Sequence, residues 1–298
     1  MRRRLLLLST QVALALVGIT SLATAQALRS GFNTTSDGRN DDGTYTAPSG
    51  CTNPSIAGTC VGSAVGIGFS GNFFGTNFNS LFLNTNGNAT LNGPQSDFTP
   101  FALTAGGINP IFAPFFADVD TRNAGSGVLT FGSGTVDGHT AFGVNWPGVG
   151  YFNNHADKLD VFQLVLVDRS DTGAGNFDFE FNYGNLFWET GDASGGINGL
   201  GGTCAVAGFS NGLSGAANRS FELTGSHTCG ALINGGANAL VTHDLNSPVL
   251  GRYVFNVRNG VIDGGGGGVG AVPEPGTYFL VLTGLAGIGL IARRRRAA

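Results

Sequence analysis

The chain has 298 residues, 51 of them glycine and 23 phenylalanine, and a formal charge of −4. Seven arginines sit in the terminal tracts 2–4 and 293–296; between Gln26 and Val272 there are 8 basic and 18 acidic residues, a net charge of −10. An acidic body without basic clusters argues against nucleic acid and anionic lipid surfaces as partners and leaves divalent cations as possible bridges.

In chain order, Arg2-Arg3-Arg4 precedes the apolar stretch 5–22. Ala23 and Ala25 then place small residues at the two positions a signal peptidase reads, with Gln26 next. This is the pattern of a secretory signal peptide over residues 1–25, a signal helix handled by the Sec machinery and signal peptidase. Four cysteines follow: Cys51, Cys60, Cys204 and Cys229. An even number in an exported chain points to disulfides. Three pairings are open, and Cys51–Cys60 with Cys204–Cys229 closes the shortest loops. The spacings do not fit a zinc site.

The body reads as strands. Phe177-Asp178-Phe179-Glu180-Phe181-Asn182-Tyr183 alternates with period two, which predicts aromatics on a core face and Asp178 and Glu180 in water. Residues 161–167 are nearly all apolar, as in a strand covered on both faces. The run 80–83 leads into Asn84-Thr85-Asn86-Gly87-Asn88, where Asn86-Gly87 is a tight-turn signal and 89–91 the returning strand. Further strands are expected at 65–69, 111–117, 128–131, 141–146, 205–209 and 253–257, and no stretch shows helical periodicity. The expected fold is all-β, an antiparallel sandwich or barrel-like domain over 26–260. It is flanked by the signal helix and a short C-terminal transmembrane helix. Residues 261–271, with five consecutive glycines at 264–268, read as a flexible linker.

Several groups could carry chemistry. Asp118 and Asp120 flank Val119 at an expected strand end, so both carboxylates share a face and could supply part of an oxygen shell for weak Ca²⁺ binding. The simpler reading is that they cap a turn, or that one pairs with Arg122. Asp168-Arg169-Ser170-Asp171 reads as an organiser of a hairpin loop. Glu189, Asp192 and the glycine-rich run 191–202 form an accessible, flexible loop near Cys204. Its glycines do not follow a strand and open a helix, as a dinucleotide site requires. Trp146 and Trp188, with Tyr151, Phe152 and Phe187, fall at strand ends or loops, where rings either stack on sugars or close the core. The four histidines are scattered, and there is no His-Glu-x-x-His motif, no Gly-x-Ser-x-Gly elbow and no lone reactive cysteine. The expectation is a non-enzyme without a resident cofactor. Carboxylates such as Glu180 and Glu189 leave glycoside cleavage as a third reading.

The C-terminus carries the sharpest signal. Pro273-Glu274-Pro275 is followed by an apolar run to Ala292 and then Arg293, Arg294, Arg295 and Arg296. The 15 residues from Tyr278 to Ala292 make about 22 Å of helix, short against a hydrocarbon core of about 30 Å. The arginines mark the cytoplasmic side. Residues 272–298 resemble the PEP-CTERM sorting signal of Gram-negative bacteria. That resemblance implies transient residence in the inner membrane, processing by exosortase and an association with exopolysaccharide.

The body resembles a second family. Arg39-Asn40-Asp41-Asp42-Gly43, Gly68-Phe69 through Asn72-Phe73-Phe74-Gly75, Leu83 to Asn88, Ala113 to Thr121, Phe162-Gln163 to Ser170, Phe179 to Tyr183 and Ala207-Gly208-Phe209-Ser210 occur in the order of the nidogen-like (NIDO) extracellular domain. The resemblance implies an extracellular module linked to cell–matrix adhesion, with no catalytic mechanism. Together the signals describe an exported cell-surface or extracellular-matrix protein acting in adhesion or exopolysaccharide association. A carbohydrate- or calcium-binding surface module is the alternative.

Overall fold

The structure, a computed structural model, describes residues 26–45, 62–217 and 219–262. The signal segment, Cys51 and Cys60, most of the linker and the 272–298 tail lie outside the described residues. The strands are β1 (Thr35–Ser36), β2 (Val65–Phe73), β3 (Thr76–Asn84), β4 (Asn88–Thr90), β5 (Ile111–Phe116), β6 (Val119–Asp120) and β7 (Thr130–Val136). They continue as β8 (His139–Tyr151), β9 (His155–Asp168), β10 (Phe177–Asn185), β11 (Val206–Ser210), β12 (Ser220–Glu222), β13 (Arg252–Arg258) and β14 (Val261–Ile262). There is no α-helix among the described residues. Val261 and Ile262, expected to open the linker, instead pair with Arg258 and Val257.

The strands form two antiparallel sheets packed face to face. One runs β1-β7-β8-β9-β10-β13-β14, with β6 beside β8; the other runs β12-β11-β5-β4-β3-β2. The period-two pattern of β10 sets the core. Phe177, Phe179, Phe181 and Tyr183 all point inward and are buried. Phe179 meets Phe112 of the opposite sheet at 4.9 Å and stacks on its neighbour Phe255 at 4.7 Å. Each such ring contributes about 1.5–3 kcal/mol by leaving water. Residues 161–167 are covered on both sides as expected. Val165 and Val167 face outward, where Phe32 from the N-terminal segment seals them with Val136 and Ala141.

Arginine cover overturns one expectation. Asp178 and Glu180 are on the outer face of β10, yet they are buried, not in water. Arg29 grips Glu180 with two bonds, Nε to Oε2 at 3.0 Å and Nη2 to Oε1 at 2.7 Å. Arg169 and Arg258 bind Asp178 at 2.8 and 2.7 Å. The long arginine stems lie over the carboxylates, and charge-assisted bonds replace the lost water.

The β3–β4 turn requires its glycine. Gly87 has φ +73°, and a Cβ there would sit 1.8 Å from the Phe115 carbonyl oxygen. Close approach of this turn to β5 brings Asn86 beside the β5–β6 junction, where the acidic residues gather.

Candidate cation site

Segment 39–43 is pinned to the end of the sandwich before its acids come into play. The Arg39 guanidinium donates to the carbonyls of Thr121, Asn123, Ser126 and Ala124. The Asn40 carbonyl accepts from the Thr121 amide at 2.9 Å, and the Gly43 carbonyl from the Thr85 amide at 2.9 Å. Asn40 Oδ1 accepts from the Gly43 amide at 2.9 Å, closing a tight local turn. Trp146 donates its indole N–H to the Thr85 carbonyl at 2.9 Å from below.

Held this way, Asp41 and Asp42 face Asp118, which lies in the break between β5 and β6. All three are buried, and one carboxylate oxygen from each falls within 4.8 Å of the others. Asn86 bridges the two chain segments. Its amide donates to Asp42 Oδ1 at 2.9 Å, and its Oδ1 accepts from the Val119 amide at 2.9 Å. Neither oxygen of Asp41 and neither oxygen of Asp118 has a hydrogen-bond partner. Arg122 Nη2 comes within 3.2 Å of Asp41 Oδ2 but is not aligned to donate to it. On its other side Asp118 faces Gly191, where a Cβ would lie 2.3 Å from Oδ2.

Asp120 has a different fate. Arg122 binds it through Nε at 2.9 Å and Nη2 at 2.5 Å, and the amides of Arg122 and Asn154 add bonds at 2.9 and 2.8 Å. Pairing with Arg122 is therefore what the structure shows for this member of the Asp118/Asp120 pair. Electrostatics follow the partners. Burial, then the neighbouring Asp42, pushes Asp41 up to about 9. Burial and the same neighbour push Asp118 up to about 8. Asp42 is raised by burial to about 6, against the opposing bond from Asn86.

Other sequence candidates resolve elsewhere. Trp146 and Trp188 are fully buried and cannot stack on a sugar. Trp146 stacks on Phe162 at 4.9 Å, while Trp188 donates to the Val149 carbonyl at 3.0 Å. Of the expected ring set, Phe187 is exposed. Cys204 and Cys229 are joined, with Cα atoms 5.3 Å apart. Glu189 beside them accepts from the Gly230 amide at 2.8 Å; the joined sulfurs are not free to act with it as thiolate ligands. The 191–202 loop is exposed along most of its length, as expected, but it is tied down rather than loose. Its turn over Asp192–Ser194 is bonded to Phe152 and Thr203 through the Asp192 amide and the Ser194 carbonyl. Asp168 to Asp171 organises the β9–β10 hairpin, with Arg169 bonded to Asp171 and Ser170 to Asp168. Glu180 and Glu189, held by separate partners, do not form a facing pair.

Nothing local in the sequence marks Asp41 and Asp42 as companions of Asp118, from which they lie far along the chain. Their only local signal is an acidic pair followed by Gly43, a turn pattern shared by many loops.

Two packed antiparallel sheets, an inter-loop disulfide and a buried polar seam at one end define an all-β module of the exported type. The family model of the nidogen-like domain matches residues 79–259, and that of the PEP-CTERM protein-sorting motif matches 271–296. The chain belongs to the nidogen-like domain family, and its sorting motif marks an exported, exosortase-sorted surface protein. It is similar to alpha-tectorin of Mus musculus and of Homo sapiens, each 33% identical over 221 residues. Alpha-tectorin of Gallus gallus is 28% identical over 218 residues. In each case the match covers 64% of this chain and 9% of the relative, so the chain corresponds to a small part of those proteins. No solved structure matches it.

Proposed function

We propose that the chain is exported by the Sec machinery of a Gram-negative bacterium and cut after Ala25. The 272–298 segment then holds it transiently in the inner membrane until exosortase processes it near Pro273-Glu274-Pro275. The released module acts in cell–matrix adhesion or in association with exopolysaccharide, as a structural and binding component with no catalytic role. The observation that carries this reading is the succession, in one chain, of a nidogen-like domain and a sorting motif. Intact-mass spectrometry of the envelope-derived protein tests it. The reading expects a C-terminus lacking Arg293–Arg296 and copurification with exopolysaccharide. Protein that retains the arginines and washes free of polymer contradicts it.

One observation bears on how a glycan would be held. With both tryptophans in the core, Phe187 is the exposed ring of the expected set, and polar groups supply most of the remaining contact. The outer face of the eight-stranded sheet carries a groove of about 430 Å³ lined by Arg29, His139, Arg169, Asp178, Glu180 and Arg252. Such a groove suits hydroxyl and carboxylate groups better than an apolar sugar face.

A further inference from the structure

We propose that Asp41, Asp42 and Asp118 bind one Ca²⁺ ion, which ties the N-terminal segment to the β5–β6 end of the sandwich. The inference stands on geometry and is independent of the adhesive reading. Oxygens bound to one calcium lie about 2.3–2.6 Å from it, hence within about 5 Å of one another. The three carboxylates already meet that condition at 4.8 Å. The second observation is that Asp41 and Asp118, 0% and 1% exposed, have four oxygens without any hydrogen-bond donor. Buried carboxylates keep their charge only when paired, hydrogen-bonded or bound to a metal. The neighbouring Asp120 receives four donated bonds, whereas among the described residues Asp41 has only the 3.2 Å ion pair with Arg122 and Asp118 has neither bond nor ion pair.

The donor chemistry selects the ion. The cluster contains carboxylates alone, with no histidine or cysteine, which suits a hard cation. Each carboxylate offers one converging oxygen, so their second oxygens and water would complete a shell of about 6–8. Mg²⁺ holds its own waters and is served by one or two carboxylates, a poorer match to three converging ones. Gly191 keeps the side next to Asp118 free of a side chain.

Thermal unfolding of the purified full chain tests the proposal, in EGTA, in CaCl₂ and in MgCl₂ at equal concentration. Calcium at a hundredfold over its Kd is expected to raise Tm by roughly 5–10 °C. Asp118→Asn abolishes that shift. In EGTA the same variant melts above the native chain, because it removes a carboxyl whose ionised form burial disfavours; in calcium it melts below. Should Asp118→Asn fail to fold, Asp42→Asn, which keeps an acceptor for Asn86, lowers calcium affinity at least about tenfold. Identical melting of the native chain in EGTA and calcium overturns the site, and an equal shift with magnesium overturns the choice of ion.

Discussion

Two groups of buried acids in this molecule meet the same problem in opposite ways. On the outer face of β10, Glu180 and Asp178 are covered by protein, and arginines from three separate segments neutralise them. At the β5–β6 end, Asp41, Asp42 and Asp118 converge with one hydrogen-bonded oxygen among them, and the nearby Arg122 is bonded to Asp120 and only ion-paired with Asp41 at 3.2 Å. The first group is complete within the chain. The second is complete only with a cation from outside. Equal burial thus carries different meaning, and the number of donors tells the two cases apart.

Breaking the first group is expected to have the largest effect. Arg29→Met leaves Glu180 buried with only Asn182 and a more distant Arg252. It should cost about 3 kcal/mol in denaturant unfolding, the low end for a broken buried pair because Arg29 is 23% exposed. The loss should be the same with and without calcium. Asn86→Ala removes both the bond to Asp42 and the acceptor for the Val119 amide. Equilibrium unfolding should show a loss of about 2 kcal/mol, together with weaker calcium binding. A paired comparison of charge removals sharpens the contrast further. In EGTA, Asp178→Asn should destabilise by about 1–2 kcal/mol, since two arginines lose their anion. Asp118→Asn should stabilise under the same conditions. Two losses of similar size would erase the distinction between the groups.

The smallest expected effect concerns Asp160, a buried acid of intermediate kind. One oxygen accepts from the amides of Phe187 and Trp188 at 2.6 and 3.3 Å, and the other has no partner. Burial pushes its carboxyl well up. A group whose folded pKa is raised contributes stability that is fully present below its unfolded value, near about 4, and lost as pH rises toward the folded one. The stability of Asp160→Asn relative to the native chain should therefore increase from about pH 4 upward, as read from melting curves across pH. A difference independent of pH would show that folding leaves the titration of Asp160 unshifted.

The sequence made the β-sandwich legible where side-chain period and turn chemistry act locally. The alternation of β10, the apolar run 161–167 and the Asn86-Gly87 turn each announce their role within a few residues. It misled wherever a partner arrives from far along the chain. Period two identifies the polar face of β10 but not its burial, because the arginines that cover it, Arg29, Arg169 and Arg258, come from outside the strand. Strand-end position left Trp146 and Trp188 open between solvent and core; their indole bonds go to the Thr85 carbonyl in the β3–β4 turn and the Val149 carbonyl in β8, distant in sequence from each ring. Asp118 was visible as half of an Asp-Val-Asp pattern, but its neighbour Asp120 proved committed to Arg122. Its companions are Asp41 and Asp42, which only the fixed 39–43 turn delivers.

The central claim is that the unpartnered end is a calcium site, and anomalous diffraction from crystals grown with calcium tests it most directly. The expected result is one anomalous peak between Asp41, Asp42 and Asp118, about 2.3–2.6 Å from an oxygen of each. The contradicting result is no peak there, with Arg122 or ordered water bonded to the carboxylates of Asp41 and Asp118.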